Sequence, residues 1–281
     1  MRSVLRACVV AGAALLFFSS YALSQTPRER GDQNQNFDTL YDRLSKQGPG
    51  GPAPSRDLTG FWTGPLHARI NQVPPMTPWG QEHFSAHKGV KQAYVADSND
   101  PLKSCDPLGF PRNMLDEIRG VAVAQMPGMM LVLNEYNKIW REIWMDGRPL
   151  PKDVGGRSAD AAVPQWYGYS VGHWDGDYSF VVDAVGTDER SWLDEAGHPH
   201  SADMRVQERY TRVDHNDLEL TITIDDPKTY TKPFVISTVK FRWIPEQKFP
   251  EEWFCVPSEM AAYLSIVADP AAKGTGKQLK K

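Results

Sequence analysis

The stretch Trp192 to Tyr210, WLDEAGHPHSADMRVQERY, is denser in chemistry-bearing side chains than any other part of the chain. His198 and His200 stand two residues apart, and in an extended segment that spacing turns both imidazoles to one side, as neighbouring metal ligands require. Asp194, Asp203 or Glu208 could complete a shell. Gly197 and Pro199 make the segment a turn, however, and spacing fixes no third ligand, so no metal and no cofactor are expected. The same residues suit proton transfer without a metal. A histidine of near-neutral pKa, oriented by Asp194, could move a proton while Arg205 or Arg209 holds an anionic or carbonyl oxygen. The catalytic candidates are therefore Asp194, His198, His200 and Glu208. The plainer alternative is a structural turn whose histidines bond the backbone and whose arginines pair with neighbouring strands.

Two other constellations bear on function. Gly168-Tyr169-Ser170-Val171-Gly172 spells GxSxG, with Asp194 and His200 downstream in the chain order of α/β-hydrolases. That motif works where a strand ends at the serine and a helix follows. Here strand residues and a DGD turn follow, so Ser170 is expected to be an ordinary strand residue. Trp140, Trp144, Trp166, Tyr167, Tyr169, Trp174 and Trp192 could line a pocket for a ring-containing ligand or fill a core. The expected ligand-binding set is Trp140, Trp166, Tyr167, His200, Arg205 and Arg209, with His200, Arg205 and Trp140 bordering one cavity.

These residues must be positioned by strands. MMLVLNEYNKIWREIWMD reads as two strands joined at Tyr136-Asn137-Lys138, YGYSVGHWDGDYSFVVDAVG as two joined at Asp175-Gly176-Asp177, and MRVQERYTRVDHNDLELTITIDD as a third pair turning at His215-Asn216-Asp217. FVISTVKFRWI, GVAVAQM and LTGFWTG bring the count to eight or nine, with sequential strands expected as antiparallel neighbours. In LELTITID the apolar residues Leu218, Leu220, Ile222 and Ile224 alternate with polar ones, the period of a sheet with one dry face. Alternation puts Ile139, Arg141 and Ile143 opposite Trp140, Glu142 and Trp144, and Met204, Val206, Glu208 and Tyr210 opposite Arg205, Gln207, Arg209 and Thr211, so in neither strand is one face uniformly apolar. Charges on such faces need each other or a ligand, and a ligand is the expectation. Helix is scarce: PWGQEHFSAHKGVKQ after Thr77, PSEMAAYLSIVA with Ser258 as a cap, and a short candidate helix FDTLYDRLSKQ in the polar stretch ahead of Asp57.

The chain ends bound the compartment. Arg2 and Arg6 precede an apolar run from Ala7 to Phe18 and a small-residue site at Ala22-Leu23-Ser24, the pattern of a secretory signal peptide over residues 1–24. Residues 25–56 read as a flexible polar leader, 57–269 as one β-rich domain, and 270–281 as a basic disordered tail. Cys8 leaves with the signal, so Cys105 and Cys255 are expected to form a disulfide in an oxidising compartment, periplasmic or extracellular. A formal net charge of −4 and the lack of a basic cluster before the tail argue against nucleic acid as a partner. No stretch after the signal is apolar for long enough to span a bilayer.

Gly60-Phe61-Trp62 is similar to the GxW opening of lipocalin-like calycin barrels. The longer pattern WYGYSVGHWDGD, WLDEAGHPHS, VQERYTRVD and DDPKTYTKP resembles a large family of secreted, uncharacterised bacterial proteins, from about Asp57 to Pro257. The second resemblance implies secretion and a β-rich fold and carries over no catalytic residue. The expectation is a mainly β protein with few short helices, an antiparallel eight- or nine-stranded calycin-like barrel or else a two-layer β-sandwich. It would bind a small, partly apolar organic ligand at a mouth covered by the His-Pro-His turn. The alternatives are an enzyme of the hydrolase, lyase or isomerase type using His and carboxylate proton transfer at that turn, and a non-catalytic cell-envelope interaction protein.

Overall fold

Strand-forming residues and tight turns alternate from Gly120 to Trp243. The computed structural model describes residues 39–65, 67–89, 97–116, 120–245 and 253–278. The described residues belong to one compact unit. The expected signal peptide, the first part of the leader and the last residues of the tail lie outside the described residues. Nine strands close into a barrel in sequence order: β1 (Gly60–Thr63), β2 (Gly120–Met126), β3 (Met129–Asn134), β4 (Ile139–Trp144), β5 (Tyr169–Asp175), β6 (Ser179–Val185), β7 (Arg205–Arg212), β8 (Asp217–Asp225) and β9 (Phe234–Trp243). The closed ring excludes the sandwich.

An odd ring poses a parity problem. If all nine neighbours alternated in direction, the first and last strands would run the same way. Instead β1 meets β9 antiparallel at Trp62↔Trp243, because one neighbouring pair elsewhere is parallel. That pair is β4 and β5, joined by the single register position Trp144↔Val171. The expectation of antiparallel neighbours throughout is corrected here. Residues 145–168 form a connection long enough to carry the chain back to the end where β4 began, which a tight turn cannot do. The contrast with β7 and β8, paired from Arg205↔Asp225 to Arg212↔Leu218, makes β4/β5 the thin seam of the barrel, with β1/β9, joined at two positions, the next shortest joint.

The dry face of β8 is as its alternation requires, with Leu218, Leu220, Ile222 and Ile224 all buried. Its neighbours contribute Phe180, Val182, Val206 and Tyr210 to the same core. The interior charges meet each other rather than a ligand. Glu208 accepts from the guanidinium of Arg141 through both carboxylate oxygens, and Tyr210 Oη donates to Glu208 Oε1 at 2.8 Å. Arg141 Nε donates to Ser170 Oγ at 3.1 Å, and its guanidinium lies 3.9 Å above the Phe110 ring. Phe110 belongs to a segment of short turns whose Met114 and Leu115 are also fully buried in the barrel core. Arg112 fastens this plug by paired bonds to Asp100 (2.9 and 2.7 Å) and one to Asp116 (2.9 Å).

Short helices attach at the ends. α1 (Leu40–Ser45) is closed by a capping box between Thr39 and Asp42. Beyond it Arg242 Nη2 donates to the Gln47 carbonyl at 2.8 Å and Asn216 Nδ2 to that of Gly48 at 2.9 Å, so the later part of the expected flexible leader is bonded to the barrel. α2 (Pro78–Ala86) starts at the cap Thr77 and stops earlier than its sequence pattern suggests. α3 (Pro257–Tyr263) begins at Val256, not Ser258, because Pro257 takes the first helical position. A π turn (Leu264–Ala268) and α4 (Asp269–Gln278) continue it, so much of the expected disordered tail is helical. Cys105 and Cys255, 150 positions apart, are joined by a disulfide that ties the plug segment to the start of α3.

Candidate functional site

The thin seam opens into a cleft of about 690 Å³. Its walls come from both faces of β4, Trp140 and Trp144 from the outer and Arg141 from the inner. Such a lining needs strands that part after one bridging pair. The connection supplies Arg148, Trp166 and Tyr167, and β5 supplies Tyr169 and Ser170. Trp140 is 65% exposed, a large apolar face offered to solvent at the rim. Arg148 stacks 3.6 Å over Trp144 and is held by Asp146 at 2.6 Å. Tyr169 Oη donates to the Val163 carbonyl at 2.8 Å, which pins the connection to β5. Burial, and then the neighbouring Tyr136, push the Tyr167 phenol well up, so it is neutral. Ser170 lies inside β5 opposite Ala184 with its hydroxyl bonded to Arg141, so no nucleophile elbow exists.

The His-Pro-His turn lies elsewhere and its histidines part company. His200 is 1% exposed, with Nδ1 donating to the Ser201 carbonyl at 3.1 Å and Nε2 facing Ser191 Oγ at 2.9 Å. Burial pushes its pKa below the ordinary imidazole value, so it is neutral. The Ser191–His200 pair has the make-up of a nucleophile and base, but both residues are buried and the serine also bonds the Asp188 carbonyl. Tyr230 Oη bonds the Pro199 carbonyl at 2.8 Å, and Ser201 donates twice to Asp226, at 2.7 Å each. His198 instead lines a second pocket of about 460 Å³ with Asp194, His67, Asp116, Ile70 and Val73. Its Nδ1 donates to Asp194 Oδ2 at 2.6 Å, and Asp194 Oδ1 accepts the backbone N–H groups of Ala196 and His198. Burial alone would raise the Asp194 carboxyl, but the hydrogen bonds from the His198 ring and backbone and the positive charge of Arg112 outweigh it and hold it below its ordinary value.

Of the expected binding set, Trp140, Trp166 and Tyr167 share the seam cleft, whereas His200, Arg205 and Arg209 do not line it. The expected cavity bordered by His200, Arg205 and Trp140 is therefore corrected. Arg205 and Arg209 point outward because alternation gives the inner face of β7 to Val206, Glu208 and Tyr210. Arg209 pairs with Asp175 across the surface at 2.8 Å. Of the catalytic candidates, Asp194 and His198 meet, His200 is sealed, and Glu208 is engaged by Arg141 and Tyr210. Among the described residues no group of three or more His, Cys, Asp and Glu side chains is placed to hold a metal ion. His67, Asp116 and Arg148 were not foreseen. The first two are far apart in sequence and meet through an isolated bridge, which leaves no periodic signal.

These features define a closed nine-stranded β-barrel with a plugged core and pockets opening at its seam and beside its His-Pro-His turn. No family model, curated protein or solved structure matches the chain. Among the described residues no helix is long and apolar enough to cross a membrane.

Proposed function

We propose that this chain is exported, to the periplasm or beyond, and binds a small, partly apolar, ring-bearing organic molecule in the seam cleft between β4 and β5. The observation that carries this reading is the exposure of Trp140 at the rim of a cleft that also holds Trp144, Trp166, Tyr167 and Tyr169. Aromatic walls give a planar ligand large apolar faces, while Arg148 offers a polar contact at the edge. The cleft volume falls in the range of small-molecule sites, roughly 300–1,000 Å³. An interior-lumen site receives no support, because the plug and the inward side chains occupy the core. The test is intrinsic tryptophan fluorescence titrated with anilinonaphthalene sulfonate and a panel of phenolic and indolic acids. Saturable quenching, weakened about tenfold in Trp140→Ala (about 1.4 kcal/mol) and unchanged in Arg205→Ala, is expected. Equal affinity of wild type and Trp140→Ala for every compound that binds would remove the cleft from consideration.

A further inference from the structure

The second pocket shares no lining residue with the seam cleft and holds a different chemistry. A carboxylate only accepts hydrogen bonds, so the proton of a neutral His198 sits on Nδ1, facing Asp194 at 2.6 Å, and the lone pair sits on Nε2. Among the described residues the ring makes no other hydrogen bond. Its orientation is fixed twice, by the Asp194 carboxylate and by Phe84 of α2, stacked at 5.0 Å and 10°. The His198 side chain keeps 18% of its surface, in the pocket wall, whereas His200 keeps none to speak of. His67 lies beside Asp116 at 3.7 Å in the same pocket, giving it a second imidazole next to a carboxylate. Among the described residues the rest of the lining is apolar or carries amide and carboxylate groups, with Ile70, Val73 and Glu195 among them and no serine, threonine, cysteine or lysine.

We infer that this pocket is a hydrolytic site in which His198, positioned by Asp194, is the general base that activates water against a small uncharged ester. Among the described residues the lining holds no hydroxyl, thiol or amine nucleophile, and water is the attacking group. Asp116, Asp194 and Glu195 disfavour an anionic substrate, and Ile70 and Val73 offer it an apolar wall. Nε2 takes a proton from water as the water oxygen bonds to the ester carbonyl carbon. The carbon–oxygen bond to the alcohol then breaks, and the imidazolium returns its proton to the departing alkoxide, so ester and water become acid and alcohol with the base regenerated. Asp194 stays ionised throughout and stabilises the transient imidazolium.

The probe is 4-nitrophenyl acetate, followed by nitrophenolate release with wild type, His198→Gln, Asp194→Asn and the surface control His173→Gln. Seven histidines give the chain a background reactivity that every variant reports. Hydrolysis should fall at least tenfold in His198→Gln and Asp194→Asn and stay unchanged in His173→Gln. A second measurement needs no variant to fold: in the wild type, diethyl pyrocarbonate should carbethoxylate His198 well before His200, as mapped by peptide mass spectrometry. Equal hydrolysis by wild type and His198→Gln, or His198 as protected as His200, would overturn the assignment. Neither outcome bears on ligand binding at the seam.

Discussion

His198 and His200 are separated by one proline, yet one is presented and the other is built in. The difference lies in what each ring meets: a carboxylate and an open pocket for His198, a carbonyl and a serine within the core for His200. A linkage follows for His200, whose folded pKa lies below the unfolded value of about 6.5. The unfolded chain takes up the proton first as pH falls, so stability is full above about pH 6.5 and is lost below it, by at most about 1.4 kcal/mol per pH unit for one proton. His87, half-buried and shifted the same way mainly by burial, adds to the slope. Thermal unfolding of wild type from pH 7 to pH 5 should show the decline, and His200→Gln, though less stable overall, should show a shallower one. Parallel slopes would mean that His200 is protonated in the fold. The Arg141–Glu208 pair gives a second expectation at this scale. Arg141→Met or Glu208→Leu leaves a buried charge alone and should cost about 3–5 kcal/mol, while the double variant costs clearly less than the sum. Urea unfolding measures all three, and additive losses would show that the charges do not depend on each other.

At the scale of elements, the strands were legible and the plug was not. Period-2 alternation in β8 marks which side is dry, but in β4 and β7 both faces carry charged or polar groups, so the inward placement of Arg141 and Glu208 was not legible and Arg205 and Trp140 were expected inside instead. Alternation also could not say that Arg141 and Glu208 face each other, because it describes one strand and the pair joins β4 to β7. The plug's short turns hold Phe110, Met114 and Leu115 at irregular spacing among Gly and Pro, so neither the strand nor the helix period appears. Nor does any sequence rule bring α2 to the His-Pro-His turn. Phe84 of α2 stacks on His198 there, and just beyond the helix the chain runs so close that a Cβ on Gly89 would come within 2.6 Å of the carbonyl oxygens of Glu195 and Ala196. Truncating the plug at Phe110→Ala should cost about 3–5 kcal/mol by urea unfolding, since the ring fills the core and supports Arg141. A loss under about 1 kcal/mol would show that the plug is an accessory to the barrel.

At the scale of the whole molecule, one covalent bond and one thin seam govern how the ring holds together. The disulfide encloses 150 positions of sequence, including eight of the nine strands, and restrains the unfolded chain by roughly 5 kcal/mol at most in the chain-entropy view. Cys105→Ser with Cys255→Ser should lower the urea midpoint accordingly while the barrel's circular dichroism persists at low denaturant. The seam has a consequence in time as well as in space. Separating β7 from β8 breaks a long ladder, whereas separating β4 from β5 gives up one bridging pair and separating β1 from β9 gives up two, so excursions of the closed barrel cost least along these two joints. Amides on the β5-facing edge of β4 should therefore exchange with solvent deuterium far sooner than those of β8. The barrel then behaves as a clasp, breathing along its short joints while the long ladders from β5 to β9 stay shut, and a molecule seated against Trp140 of β4 and Tyr169 of β5 should slow the breathing at the seam by bridging the two strands.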